Sequence, residues 1–115
     1  MAGSYNFVAD QGATFDRTLT WKDSAGVAIN VTGYTAKMQI RDRPGGSTLH
    51  QTFTTTDSTI VLGGAAGTVR LVVSNTVTAT WTFGTGYYDL ELTDGSAKVT
   101  RLLAGRFIVS PEVTT

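Results

Sequence analysis

The chain contains 115 residues, of which 41% are hydrophobic and 16% charged, and its nine basic and nine acidic side chains cancel. This length fits a single domain, residues 1–115, and the composition is typical of a globular protein. The zero net charge argues against a nucleic-acid-binding protein. With one histidine and no cysteine, the sequence excludes disulfides, thiol nucleophiles and metal sites built from cysteine or several histidines.

The N-terminal sequence contains no recognisable export signal. Met1–Tyr5 has neither the basic start nor the apolar stretch of a secretory signal peptide. No apolar run approaches the roughly 20 residues of a membrane helix. We therefore expect a protein that is made and folded in a cytoplasm and has no membrane partner.

Alternating apolar and polar residues predict short strands in the first half of the chain. Threonine makes up about a fifth of the sequence and suits the pleated surface of a sheet. The residues predicted to share a face within each segment are Tyr5 and Phe7; Phe15, Leu19 and Trp21; Val27, Ile29 and Val31; Ala36, Met38 and Ile40; and Leu49, Gln51 and Phe53. Asp42–Ser47 combines Asp, Pro, Gly and Ser, and it is the strongest loop signal.

The second half of the chain predicts two hairpins. Ile60–Leu62 and Thr68–Val73 flank a glycine-rich turn. Residues 87–92 and 98–103 flank a turn at Asp94–Ala97. Both pairs therefore predict antiparallel strands that are close in sequence.

Two positions in the second half depart from the strand pattern. Within Asn75–Trp81, the spacing of Val77 and Trp81 suits a helix, whereas the threonines suit a strand. We favour a short helical turn or an irregular crossover there. Gly105 predicts a bulge or bend in the last strand, which Pro111 ends.

About eight short strands with at most one short helical turn predict an all-β fold, an antiparallel sandwich or small barrel. We favour an immunoglobulin-like β-sandwich. Gly86-x-Tyr88-x-Leu90 has the outline of the tyrosine-corner strand of immunoglobulin-like domains.

No residue pattern predicts catalysis. His50 has no neighbouring nucleophile in the sequence, and Asp89 and Glu91 lie on one face of one strand. Glycoside hydrolysis normally uses carboxylates from separate elements around a deep groove. Arg101, on the partner strand of the hairpin, is predicted to form a structural ion pair with one of the two carboxylates. We predict no catalytic, cofactor-binding or metal-ligating residue and a protein that is not an enzyme; a small hydrolase using Asp89 and Glu91 is a distant alternative.

Two arginines share a strand face with apolar residues. Arg17 lies on the face of Phe15 and Leu19, and Arg101 lies on the face of Val99 and Leu103. An arginine at such a position either extends its charge to the edge of the sandwich or pairs with a carboxylate. We favour the extended conformation, and an ion pair that fixes strand register is the alternative.

The aromatic residues have two interpretations. Trp21, Trp81, Phe83 and Tyr87 could form a platform on which a sugar stacks, but Trp21 shares a face with core residues. Trp81 and Phe83 fit equally well under a crossover or in an exposed patch that binds a partner.

Seven ordered segments carry a resemblance to a known family. They are Tyr5-x-Phe7, Gln11–Phe15, Leu19–Gly26, Val31–Arg41, Tyr88–Leu92, Val99–Gly105 and Val109–Thr114. In this order they resemble a family of small β-sandwich domains in tailed-phage and prophage proteins, found at the head of long tail fibres and baseplate upper proteins. The resemblance covers nearly the whole chain and lies in the order of the segments rather than in any single motif.

The resemblance implies a virion structural protein, assembled in the host cytoplasm, that docks on tail, baseplate or fibre subunits in multiple copies. Such a module would form a homo-oligomer or a symmetric array. The candidate interface residues are Tyr5, Phe7, Val8, Trp81 and Phe83. The chain ends soon after its last predicted strand, so a capsid decoration (cement) protein is the alternative, and a carbohydrate-binding module is the second alternative.

Overall fold

The computed structural model describes residues 3–111 and divides them into short strands joined by turns. The strands are β1 (Gly3–Ser4), β2 (Phe7–Asp10), β3 (Phe15–Thr20), β4 (Thr35–Arg41), β5 (Leu49–Thr54), β6 (Ile60–Leu62), β7 (Thr68–Val73), β8 (Thr85–Thr93) and β9 (Val99–Ser110). A 3₁₀ turn (Gly64–Ala66) lies between β6 and β7, and a single helical turn, α1 (Asn75–Thr78), follows β7. None of the helical segments in this part of the chain has the length and apolar character needed to cross a membrane.

The strands form two sheets that enclose one core. Sheet A has the order β1-β9-β8-β4-β5, with β2 also paired to β9, and sheet B has the order β3-β7-β6. In an immunoglobulin-like sandwich, strands B, E and D form one sheet, and strands G, F and C form the other. Sheet B and the β9-β8-β4 part of sheet A follow this order, so the predicted all-β sandwich is confirmed.

The N-terminal strands differ from the antiparallel arrangement that the sequence predicts. Both β1 and β2 run parallel to β9, with Gly3 opposite Leu103 and Phe7 opposite Phe107. Parallel pairing needs a long connection, and here the whole domain lies between the two partners. The pairing is interrupted at residues 5 and 6, so Tyr5 and Phe7 do not share one continuous strand.

The predicted alternation is confirmed in the central strands. In β4, Ala36, Met38 and Ile40 are buried, and the inward residues of β7 are buried in the same way. Strands β6 and β7, and β8 and β9, form the two expected hairpins. The favoured helical turn is confirmed as α1, whereas Val27–Val31 forms only one isolated bridge, through Ala28.

Aromatic side chains fill the core around Phe107. The Phe107 ring lies 5.3 Å from both Phe15 and Trp81, 6.0 Å from Phe7 and 6.3 Å from Phe53. Most of these contacts are tilted or edge-on, which the charge distribution of aromatic rings favours. Burial of each such side chain stabilises the fold by about 1.5–3 kcal/mol, so packing of this cluster is the main interaction that holds the two sheets together.

The chain changes sheet between β2 and β3, and Thr78 of α1 fixes that corner. The Thr78 side chain is fully buried. Its hydroxyl donates to the carbonyl oxygen of Ala13 at 2.8 Å and accepts from the amide of Gly12 at 3.1 Å. The Gln11 side chain donates to the carbonyl oxygen of Trp81 at 3.1 Å. The corner therefore takes its hydrogen bonds from a segment more than 60 residues away.

The bulge in β9 lies at Leu102 rather than at the predicted Gly105. Leu90 pairs with Leu103 but Glu91 pairs with Arg101, which leaves Leu102 as the extra residue. The bulge shifts the alternation of the strand, so Arg101 and Val99 face outward. The expected conflict between Arg101 and an inward-facing position therefore does not arise.

Candidate functional site

An open groove of about 620 Å³ lies on the outer face of sheet A. Neighbouring side chains on β4, β8 and β9 form three rows across the strands. The rows are Lys37, Glu91 and Arg101; Gln39, Asp89 and Ala104; and Arg41, Tyr87 and Arg106. The groove follows the middle row because Ala104 and the adjacent Gly105 are smaller than the side chains around them.

The loop between β4 and β5 forms one wall of the groove. Arg43, Pro44 and Gly45 line it. The Arg41 guanidinium donates to the carbonyl oxygen of Gly46 at 3.2 Å and to the Gln39 side-chain oxygen at 3.0 Å. The amide of Gly46 donates to the carbonyl oxygen of Arg43 at 2.8 Å. These bonds fix the wall in position before any ligand binds.

The charged groups of the groove are of both signs. Arg101 Nε lies 3.4 Å from Asp89 Oδ2, which confirms the predicted ion pair, and both side chains are partly exposed. An ion pair with this exposure contributes only about 0–1 kcal/mol to the stability of the fold. Its main effect is to orient the two side chains at the groove. Glu91 is directly opposite Arg101 in the register of β8 and β9.

The arrangement of the two carboxylates does not favour hydrolysis. Asp89 and Glu91 project from one strand, and Asp89 is already paired with Arg101. A glycosidase places its two carboxyl groups on opposite sides of the bond that is cleaved. Within residues 3–111, no group of three or more His, Asp or Glu side chains could hold a metal ion.

The candidate interface residues do not form one surface. Phe7 and Trp81 are core residues, with 1% and 2% exposure, so their selection as surface residues is wrong. Both side chains pack against Phe107, and Trp81 also donates from its indole nitrogen to the Gln51 side-chain oxygen at 3.1 Å. The inward alternation of β2 and the crossover after α1 bury them.

Tyr5 and Val8 are exposed, each at 49%. They lie along the edge of sheet A, where Val8 pairs with Ile108 of β9. Phe83 is half-buried and stacks on His50, with ring centres 4.2 Å apart and planes 5° from parallel. This stacking places His50 against a ring rather than beside a nucleophile. Of the candidate residues, only Tyr5 and Val8 offer substantial free surface.

The Tyr88 hydroxyl fastens the N-terminal segment to sheet A. It donates to the carbonyl oxygen of Tyr5 at 2.7 Å. In a tyrosine corner the hydroxyl bonds to the backbone a few residues upstream. Tyr88 of the Gly86-x-Tyr88-x-Leu90 motif instead bonds to a residue 83 positions away. Burial raises the pKa of Tyr88 above its usual value, which keeps the hydroxyl a donor.

Gly105 makes this attachment possible. A Cβ atom at Gly105 would collide with the carbonyl oxygen of Tyr5. The absence of a side chain therefore lets residues 5 and 6 cross close to β9, where the Asn6 side-chain oxygen accepts from the amide of Arg106 at 3.0 Å.

Arg17 extends to the edge of the sandwich, as favoured from the sequence. Its guanidinium lies 4.9 Å from the centre of the Phe15 ring and donates to the carbonyl oxygen of Val8 at 3.1 Å. The charge reaches solvent while the aliphatic part of the side chain covers the edge between β2 and β3.

The outer face of sheet B contains a second arginine–aspartate pair. Arg70 donates to both carboxylate oxygens of Asp16, at 3.0 and 2.7 Å. The hydrogen bond from Arg70 lowers the pKa of Asp16, although both side chains are exposed. This pair lies on the other sheet from Arg101 and Asp89 and gives a matched control for experiments on the groove.

Sequence reasoning selected the groove residues Asp89, Glu91 and Arg101 but not the groove itself. The groove depends on the register of three strands and on the fold of the loop between β4 and β5. The two small residues Ala104 and Gly105, opposite the polar outer face of β8, are the local sequence feature that could have indicated a groove. Comparison of the sequence with models of known families gives no match, and comparison with curated proteins gives none either.

Proposed function

We propose that the chain is a non-enzymatic interaction module of a tailed-phage or prophage virion that docks on tail, baseplate or fibre subunits in multiple copies. The ordered resemblance of its segments to small virion β-sandwich domains is the reason for naming this class. The observation that supports the proposal is the all-β sandwich fold, which the resemblance implies.

The distribution of side chains is consistent with a protein that acts by binding. The large aromatic side chains fill the core, and the charged side chains lie on the two outer faces and the loops. Tyr5 and Val8 place exposed apolar surface along the N-terminal edge of sheet A. This edge is the proposed docking surface, and repetition of one small contact in a symmetric array gives strong attachment.

The test is incorporation of the tagged protein into particles of the phage or prophage that encodes it. Particles are separated into heads and tails on a density gradient, and the tag is detected in each fraction. Signal with the tails supports the proposal. Signal with the heads favours a decoration protein and overturns tail docking, and signal with neither overturns a virion role.

The Val8→Asp substitution tests the docking edge. It places a charge in an apolar contact, so we expect incorporation to fall at least about tenfold. Val61→Asp is the matched control, since Val61 is also an exposed valine, at 43%, but lies on β6 of sheet B. Equal incorporation of the two variants at unchanged thermal stability would contradict the assignment of this edge.

A further inference from the structure

We propose that the groove on the outer face of sheet A is a binding site for a saccharide. This inference goes beyond the proposed virion role and does not depend on it. The site is separate from the aromatic residues that the sequence suggested as a sugar platform, because Trp81 is buried in the core.

The shape of the groove fits a ligand of a few sugar rings. Its volume of about 620 Å³ lies within the range of roughly 300–1,000 Å³ of small-ligand clefts. The floor is formed by Ala104 and Gly105, and the wall is formed by a loop that Arg41 holds through hydrogen bonds. A floor of strands and a wall held by hydrogen bonds lower the conformational entropy that the protein itself loses when a ligand binds.

The chemistry of the groove fits hydroxyl groups. A sugar hydroxyl is both a donor and an acceptor, and neighbouring hydroxyls present both functions together. The groove offers carboxylate acceptors on Asp89 and Glu91 beside guanidinium donors on Arg101 and Arg43. Half-buried Tyr87 adds an aromatic surface with a polar end for the apolar face of a ring.

The charge distribution disfavours a polypeptide of one charge sign. An acidic segment would meet the carboxylates of Asp89 and Glu91, and a basic segment would meet Arg41, Arg43 and Arg101. Arg43 is paired with Asp42 at 3.6 Å and Arg101 with Asp89 at 3.4 Å, so the positive and negative groups at the groove balance and a neutral ligand with many hydroxyls meets no repulsion. Because both carboxylates are on one strand, the saccharide is bound and not hydrolysed.

The experiment is a titration of the ¹⁵N-labelled full chain, followed by the backbone amide shifts of each residue. The probes are N-acetylchitotetraose, maltotetraose, galactotetraose, mannotetraose and a rhamnose oligosaccharide. We expect saturable shifts with at least one probe, concentrated at Gln39, Asp89, Glu91 and Ala104. Binding by Arg101→Gln and by Glu91→Gln should be about tenfold weaker, since each removes one charged hydrogen-bonding group.

Arg70→Gln is the matched control, because it removes the arginine of the ion pair on sheet B. It should bind as the unmodified chain does, and all three variants should keep the unmodified melting temperature within a few degrees. Two results would overturn the proposal: no saturable shift with any of the five saccharides, or equal weakening by Arg70→Gln. Poly-L-glutamate is titrated in parallel, and groove shifts with it but with no saccharide would overturn the proposal by identifying a protein-docking surface.

Discussion

Thr78 provides the sharpest test of how the two sheets are joined. Thr78→Val keeps the size and branching of the side chain but removes the hydroxyl that bonds to Ala13 and Gly12. Each net hydrogen bond contributes about 0.5–1.5 kcal/mol, and an unpaired group costs about 1–3 kcal/mol. The corner is only partly buried, so water restores some of the loss, and we expect the free energy of unfolding to fall by about 2 kcal/mol.

Thr78→Ser is the matched control, because it keeps the hydroxyl and removes one buried methyl group. That loss should cost about 0.5–1.5 kcal/mol. Unfolding in urea can be followed by the fluorescence of Trp81, which is buried next to the corner and whose indole nitrogen donates to Gln51 rather than to the Thr78 hydroxyl. If Thr78→Val is no less stable than Thr78→Ser, the hydroxyl does not hold the corner.

Three further predictions concern the N-terminal segment and the surface charges. Gly105→Ala should lower the free energy of unfolding by about 1–3 kcal/mol, because the added Cβ meets a backbone oxygen. Gly95→Ala has open space around it and should change that free energy by less than about 0.5 kcal/mol. Equal losses of the two variants in urea unfolding would refute this prediction. Tyr88→Phe should cost about 0.5–1.5 kcal/mol and speed amide exchange at Tyr5, and unchanged exchange would show that the hydroxyl does not hold the segment. The pKa of Asp16 is lower in the folded than in the unfolded chain, so the stability that its ionised form contributes is present above the unfolded pKa of about 3.9 and is lost as the pH falls through the folded value. In Asp16→Asn, the free energy of unfolding should therefore fall less steeply as the pH is lowered. An identical pH profile of the two proteins would contradict this prediction.

The sequence predicts the strands where local alternation and burial agree. Met38 and Ile40 in β4 alternate with polar neighbours and are fully buried. The helical turn α1 (Asn75–Thr78) agrees with the helical spacing of Val77 and Trp81. These features depend on neighbours within a few residues. Their physical cause is therefore visible in the sequence.

The features that could not be predicted from the sequence depend on residues that are far apart in the chain. Leu102 and Leu103 are both apolar, so alternation alone cannot show which of them is the extra residue of the bulge. The bond from Tyr88 to Tyr5 joins positions 83 residues apart, and neither residue indicates the other. The groove likewise requires the register of three strands, which local periodicity does not determine.

The burial of Phe7 and Trp81 also explains why a binding role must depend on polar and edge residues. Large aromatic side chains stabilise a small domain most when they are buried, and a chain of this size needs them in its core. The aromatic cluster around Phe107 joins the sheets, which leaves the outer face of sheet A free to carry hydrogen-bonding groups.

The two proposed surfaces are both built on β9 and meet at Ala104 and Gly105. Arg101, Ala104 and Gly105 line the groove, and Val8 of the docking edge pairs with Ile108. Tyr5, the other residue of that edge, donates its amide to the carbonyl oxygen of Ala104 at 3.1 Å. The groove opens outward from the face of the sheet, and the docking edge lies along its side. The side chains proposed to bind a saccharide differ from those of Tyr5 and Val8, so substitutions test the two surfaces separately.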